Sequence, residues 1–340
     1  MIRTVLGDLS PDAVGPVMLH EHVLFDIVPP GASGVPEAPI VPEARWQADY
    51  RSNELAANAC QRDVGVATRE LALFAEDGGG LVVDQSVRGL ARDAEGLARA
   101  ARESGVHLVA AAGTYVEDRV PSDVRALSAE ALCDLFTAEV TEGLDGTEVR
   151  AGIIGEMGCS WPLTPFEARA LSAAAGAQAA TGAAISVHPG RHETACGEIL
   201  DILASNGADL RRVVLCHMDR THPEGRGIAP LLDRGAVVEW DFFGIEQSHY
   251  WMTETVELPT DLGRLRQIAD LAAQGFGAQV AISQDICTKT RLRRWGGHGY
   301  GHILRNVTGL MRRLAFPPGL IAALIRDTPL RLLNLKEIPQ

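Results

Sequence analysis

The stretch RAGIIGEMGCSWPLTPFEARALSAAAGAQAATGAAISVH (150–188) decides the fold. It opens on a nearly continuous apolar run, RAGIIGEMG (150–158), and closes on another, AAISVH (183–188). Such runs suit parallel strands buried on both faces. Between them TPFEARALSAAAGAQAATG (164–182) reads as an amphipathic helix ending in a glycine, as a left-handed C-cap requires. The stretch is one strand–helix–strand unit.

The same alternation extends in both directions. Upstream lie VMLHEH (17–22), GLVVDQS (80–86) and HLVAAAGTY (107–115); downstream lie RVVLCH (212–217), AVVEWD (236–241) and QVAISQD (279–285). DAEGLARAARESG (93–105) and LGRLRQIADLAAQG (262–275) are among the helices between them. Eight strand–helix units between residues 17 and 285 match a (β/α)8 TIM barrel of the α/β class better than an open doubly wound sheet. No GxGxxG follows the first strand, so a dinucleotide site is unsupported. No Pro/Gly/Ser linker divides the chain, so residues 1–340 are expected to form a single domain. Segment 27–58, containing VPPGASGVPEAPIVPEA, reads as a long irregular loop, a length typical of lids and binding loops.

Six residues of metal-binding type occupy the strand ends. His20 and His22 are two apart on one strand, so the strand period points both to one face, the barrel interior. Glu156, His188, His217 and Asp285 each close a later strand. The separations 188 − 156 = 32 and 217 − 188 = 29 are one unit each, and 285 − 217 = 68 is two, provided the strand at 236–241 carries no ligand. A lone histidine at a strand end is ordinarily structural. Five strands ending in suitable residues converge on the C-terminal mouth, where barrel enzymes place their active sites.

Four imidazoles and two carboxylates suit two divalent ions about 3.5–4 Å apart, with Glu156 bridging through its two oxygens. Nitrogen and oxygen donors without thiolate favour zinc, with manganese or cobalt as alternatives. A hydroxide held between the ions is a nucleophile at neutral pH, and Asp285 is placed to take its proton.

Charge and composition narrow the partners. Lys plus Arg (31) minus Asp plus Glu (44) gives −13, which argues against nucleic acid or an anionic membrane surface. A small anionic substrate remains compatible, because Arg191 and Arg220 each follow a histidine of the set by three residues and start loops at the mouth. The six cysteines form no CxxC pair and read as reduced core thiols, Cys159 and Cys216 included. The N-terminus lacks a signal-peptide pattern and no apolar run reaches membrane-spanning length, so a cytoplasmic location is expected. A homodimer is the default oligomer.

The stretches GEMGCSWPLT (155–164), SVHPGR (186–191), CHMDRT (216–221) and KTRLRRWGGHGYGHILRN (289–306) resemble the phosphotriesterase-like group of the amidohydrolase superfamily, and within it the phosphotriesterase-related proteins. The resemblance runs from the first strand past Asp285 and implies metal ligation by His20, His22, Glu156, His188, His217 and Asp285. Members that hydrolyse phosphotriesters or lactones carry a carboxylated lysine as the bridge on strand four; here that position is Glu156. This favours the branch associated with hydrolysis of N-acetyltaurine and other small N-acyl amides. A lactonase, a carboxylesterase or a weak phosphotriesterase is the alternative. By resemblance, Tyr115 faces the metal pair. The aspartate–histidine proton relay of phosphotriesterases has no counterpart, since its positions match Arg220 (or Asp219) and Phe242. His298 and His302 lie in a glycine-rich stretch read as substrate loop or support for the site, with loops 27–58, 242–260 and 287–300 holding specificity.

Overall fold

The computed structural model describes residues 1–29, 31–253 and 255–335. Residues 30 and 254, within the expected loops 27–58 and 242–260, and residues 336–340 lie outside the described residues. Eight parallel strands follow one another around a nearly closed barrel. They are β1 (Val17–Glu21), β2 (Leu81–Asp84), β3 (His107–Ala112), β4 (Ala151–Gly158), β5 (Ile185–His188), β6 (Val213–Leu215), β7 (Val237–Trp240) and β8 (Val280–Ile282). All eight expected strands are present. The expected helices also form, and Gly105 and Gly182 cap two of them in the left-handed conformation (φ +74° and +70°).

Two apolar layers follow from strand alternation. Val17, Leu19, Val83, Val109, Ile153, Val214, Val237 and Ala281 fill the interior. Met18, Val82, Leu108, Ile185, Leu215, Val238 and Ile282 pack outward with helix residues such as Leu71, Phe136 and Ile199.

Alternation alone does not aim the candidate site residues. His188 and Asp285 are in phase with the interior, but His20 directly follows inward-facing Leu19 and would point outward. A register shift between Met18 and Glu21 corrects this, and another between Ile154 and Met157 does the same around Glu156. Irregularities of this kind re-aim side chains next to active sites. Gly155 permits the second: its φ is +118°, and a Cβ there would lie 2.0 Å from Ser186 O. His217 follows inward-facing Cys216 and turns in by adopting φ +58°, while Asp285 sits at φ +46°. Left-handed backbone at non-glycine residues carries strain that tends to collect at functional sites.

The seam between β8 and β1 closes through side chains. Buried Glu21 accepts Ser283 Oγ–H (2.8 Å), Gln284 N–H (2.9 Å), Gln284 Nε2–H (2.8 Å) and Ile286 N–H (2.9 Å). The loop after β1 is less irregular than its composition implies. Phe25–Asp26 pairs antiparallel with Cys60–Gln61, and helix α1 (Arg45–Tyr50) forms within it, braced by an Arg45–Asp49 pair at 2.8 Å. A six-residue helix is too short to show periodicity in sequence.

Candidate metal centre

The six residues expected at the strand ends are brought together and buried at the C-terminal mouth. Glu156 is the hub, and its two oxygens face different partners. Oε1 lies 3.3 Å from His22 Nε2; Oε2 lies 2.9 Å from His188 Nδ1, 3.4 Å from His217 Nε2 and 3.6 Å from His20 Nε2. Asp285 Oδ1 is 3.3 Å from His22 Nε2 and 3.9 Å from His20 Nε2. The atoms form two sets compatible with one ion each, His20/His22/Glu156 and Glu156/His188/His217, sharing Glu156.

A divalent ion suits this donor set. Both ring nitrogens of fully buried His20 lack a hydrogen-bond partner, and His188 Nδ1 faces His217 Nε2 at 2.9 Å. Converging imidazole nitrogens with a carboxylate oxygen between them satisfy one another poorly by hydrogen bonds and well by a cation. Electrostatics agree. Burial works against a proton on His22, yet Asp285 and Glu156 push its pKa up to about 9. Burial likewise opposes ionisation of Glu156, but His20 and His188 hold it well below the usual carboxylate range. His188 goes the other way: burial and the Arg220 charge press it well below an ordinary imidazole, so it presents a lone pair.

The imidazoles are held from behind. Ser86 Oγ meets His22 Nδ1 at 3.0 Å. Asp241, at the end of β7, accepts both the backbone N–H (3.0 Å) and Nδ1–H (2.8 Å) of His217, and its Oδ2 lies 3.4 Å from His20 Nδ1. Glu239 Oε2 approaches the same nitrogen at 3.7 Å. These partners were missed in sequence. Asp241 was legible in principle, since it closes a strand as the others do. Cys216 is buried and joins His20, Glu239 and Asp241 in a third cluster beneath the mouth.

A cavity of about 90 Å³ opens over these residues and is bounded by Tyr115, Arg119, Arg191, Arg220, Phe242 and Tyr250. Tyr115 Oη is 3.4 Å from His188 Nδ1, and burial with the Glu156 charge holds its pKa well above the ordinary phenol. Arg191 reaches over the mouth, donating to Tyr250 Oη (2.9 Å) and Met252 Sδ (3.2 Å). Arg220 is buried, donates to Pro189 O (2.9 Å) and has a guanidinium nitrogen 3.0 Å from His188 Nε2. Arg119, not singled out in sequence, donates to Ile27 O at 2.6 Å. Phe242 packs 5.5 Å from the His217 ring. The cavity adjoins a larger groove of about 400 Å³, bounded by residues 242–252, Leu258, α1 and the loop after β8, and His298 lines it. His302 lies outside both, bonded to Asp261 at 2.7 Å.

An eight-stranded parallel barrel with carboxylates and imidazoles converging at its mouth is the framework of a metal-dependent hydrolase. The phosphotriesterase family model matches residues 1–333, and the chain belongs to that family. It is 36% identical to the N-acetyltaurine hydrolase of Salmo salar and 35% identical to that of Homo sapiens, in each case over 98% of both chains. Among solved structures, a resiniferatoxin-binding protein from Rhodobacter sphaeroides superposes with a TM-score of 0.91 at 34% identity, covering 98% of this chain and 94% of that one. Among the described residues, no helix is long and apolar enough to cross a membrane.

Proposed function

We propose that this hydrolase carries two divalent ions, zinc first, and cleaves a small N-acyl amide whose amine bears a sulfonate or carboxylate. N-acetyltaurine is the first compound to test, a choice supported by the names of the relatives at about 35% identity. The observation that carries the substrate reading is the arginine set. Arg119, Arg191 and Arg220 bound the cavity, and among the described residues none is paired with a carboxylate. In a chain of net charge −13, three guanidinium groups without an ion-pair partner at one pocket favour an anion and offset long-range repulsion.

In this reading His20, His22 and Asp285 would hold one ion, His188 and His217 would hold the other, and Glu156 would serve both. When bound, the ions acidify water and polarise the substrate carbonyl. Asp285 takes the proton of the attacking water. Tyr115, kept protonated, offers an O–H towards the carbonyl side of the cavity. Arg191, the most accessible of the three arginines, clamps the anionic group, and Arg220, anchored on Pro189 O, lies beside His188. Residues 1–340 work as one domain, in the cytoplasm, as a homodimer with small molecules as substrates.

The test is a hydrolysis screen of the zinc-loaded protein over N-acyl amides, lactones and phosphotriesters. N-acetyltaurine or another anionic N-acyl amide is expected to lead in kcat/KM. Preference for a lactone or phosphotriester by tenfold or more would transfer the assignment to that class.

A further inference from the structure

Behind the centre runs a buried chain of polar side chains for which the chemistry above has no use. Asp219 lies on α2 (Met218–Thr221), directly after His217, and its Oδ2 accepts the backbone N–H of Asp241 at 3.0 Å. Asp219 Oδ1 accepts Nε–H of Arg264 from α3 (Asp261–Ala273). Arg264 Nη1 then reaches Asp261 Oδ1 (2.8 Å) and Ile245 O (3.1 Å). Asp261 also accepts Gly244 N–H at 2.9 Å, and its other oxygen meets His302 Nε2 at 2.7 Å. Arg264 has no exposed surface and packs beneath the Phe243 ring, 5.7 Å from its centroid.

One guanidinium therefore joins two things that a substrate must find in register. Through Asp219 and Asp241 it reaches both hydrogen bonds that aim His217. Through Ile245 and Asp261 it holds the turn after β7, whose Phe242 packs against the His217 ring and bounds the cavity. The turn is closely packed: Gly244 has φ +91°, and a Cβ there would meet the His298 ring at 2.5 Å. Buried ion clusters add little net stability compared with apolar packing, and their best-attested use is to fix one arrangement. Lysine cannot replace this arginine, because the contacts need a planar fork with several donors.

We propose that Arg264 is a positioning residue that couples the cavity wall at 242–246 to His217, so that both hold or lose their geometry together. The proposal rests on the reading of His217 as a ligand only for its effect on metal, not for the coupling itself.

The experiment compares wild type, Arg264→Lys and, as a control of similar destabilisation away from the mouth, Leu200→Ala. Hydrogen exchange is read by mass spectrometry with and without zinc, together with the rate of zinc loss to a chelator. Arg264→Lys is expected to speed exchange in segments 216–222 and 242–249 together by tenfold or more and to speed zinc loss at least tenfold. Leu200→Ala should leave both segments unchanged. If Arg264→Lys does not fold, His302→Gln, at the outer end of the chain, should give the same paired change at about threefold. Faster exchange confined to 261–273, or to only one of the two segments, would overturn the coupling. Should the protein hold no zinc, the exchange result still decides, and the failure of the metal reading is seen separately.

Discussion

The backbone N–H of Asp285 donates to the carbonyl of His20 at 3.0 Å. This bond crosses the seam between β8 and β1, so two residues of the candidate centre are also the residues that close the barrel. The His20 N–H returns across the same seam to Ser283 Oγ at 3.0 Å. Closure of the barrel and placement of the site use the same residues, and Glu21 between the two histidines is the clasp.

Glu21→Ala leaves four buried donors without an acceptor. Each orphaned donor costs about 1–3 kcal/mol, reduced where water enters, so the variant should lose about 3 kcal/mol or more in urea denaturation. A loss under about 1 kcal/mol would show that the seam is held elsewhere.

Asp241→Asn keeps the shape but exchanges a charged acceptor for a neutral amide behind His217. Partners that orient a ligating histidine are worth about 10–100-fold in metal affinity. Zinc titration should show a weakening in that range with the thermal midpoint nearly unchanged. Wild-type affinity in the variant would remove Asp241 from the support of the site.

Arg191→Ala tests the clamp. Its contact with a distal anionic group exists equally in ground and transition states, so KM should rise about tenfold while kcat stays within about twofold. Neutral analogues should bind wild type and variant alike. A fall confined to kcat would place Arg191 in the chemistry instead.

The strand ends were legible because a buried parallel sheet writes apolar runs, and a metal-type residue at the close of a run is conspicuous. His188 and Asp285 follow the alternation of their strands to the interior. His20, His22, Glu156 and His217 do not, and their aim depends on two register shifts and a left-handed residue that no periodicity encodes. Asp241 closes its strand as the others do, yet its partner is an imidazole, which only the fold brings within 2.8 Å. Arg119 was invisible for another reason. Loop arginines are numerous in this chain, and nothing in sequence separates one that bounds a cavity from one in solvent. The Arg264 chain joins residues 219, 241, 261 and 302, separations that carry no local pattern.

A loss of stability in acid is expected from His298. Burial and the nearby His302 push its pKa down to about 3 from 6.5. The unfolded chain takes up a proton below pH 6.5 that the folded state refuses until about pH 3. Stability from this group is therefore full above pH 6.5 and is lost as pH falls towards 3. At pH 5 the loss is about 2 kcal/mol. Because raised histidines such as His22 act in the opposite direction, the test is the comparison: on going from pH 8 to pH 5 the wild type should lose about 2 kcal/mol more than His298→Gln. An identical drop in both would assign the sensitivity to other groups.

The central claim is that Glu156 joins two ion sites, His20 and His22 on one side and His188 and His217 on the other. Elemental analysis of zinc-reconstituted protein, freed of loosely held metal, tests it directly. About two equivalents per chain are expected in the wild type, as a bridged two-ion centre requires, and Glu156→Ala should lose them together. A wild-type content near one or zero, or a folded Glu156→Ala that keeps both ions, would contradict the bridge.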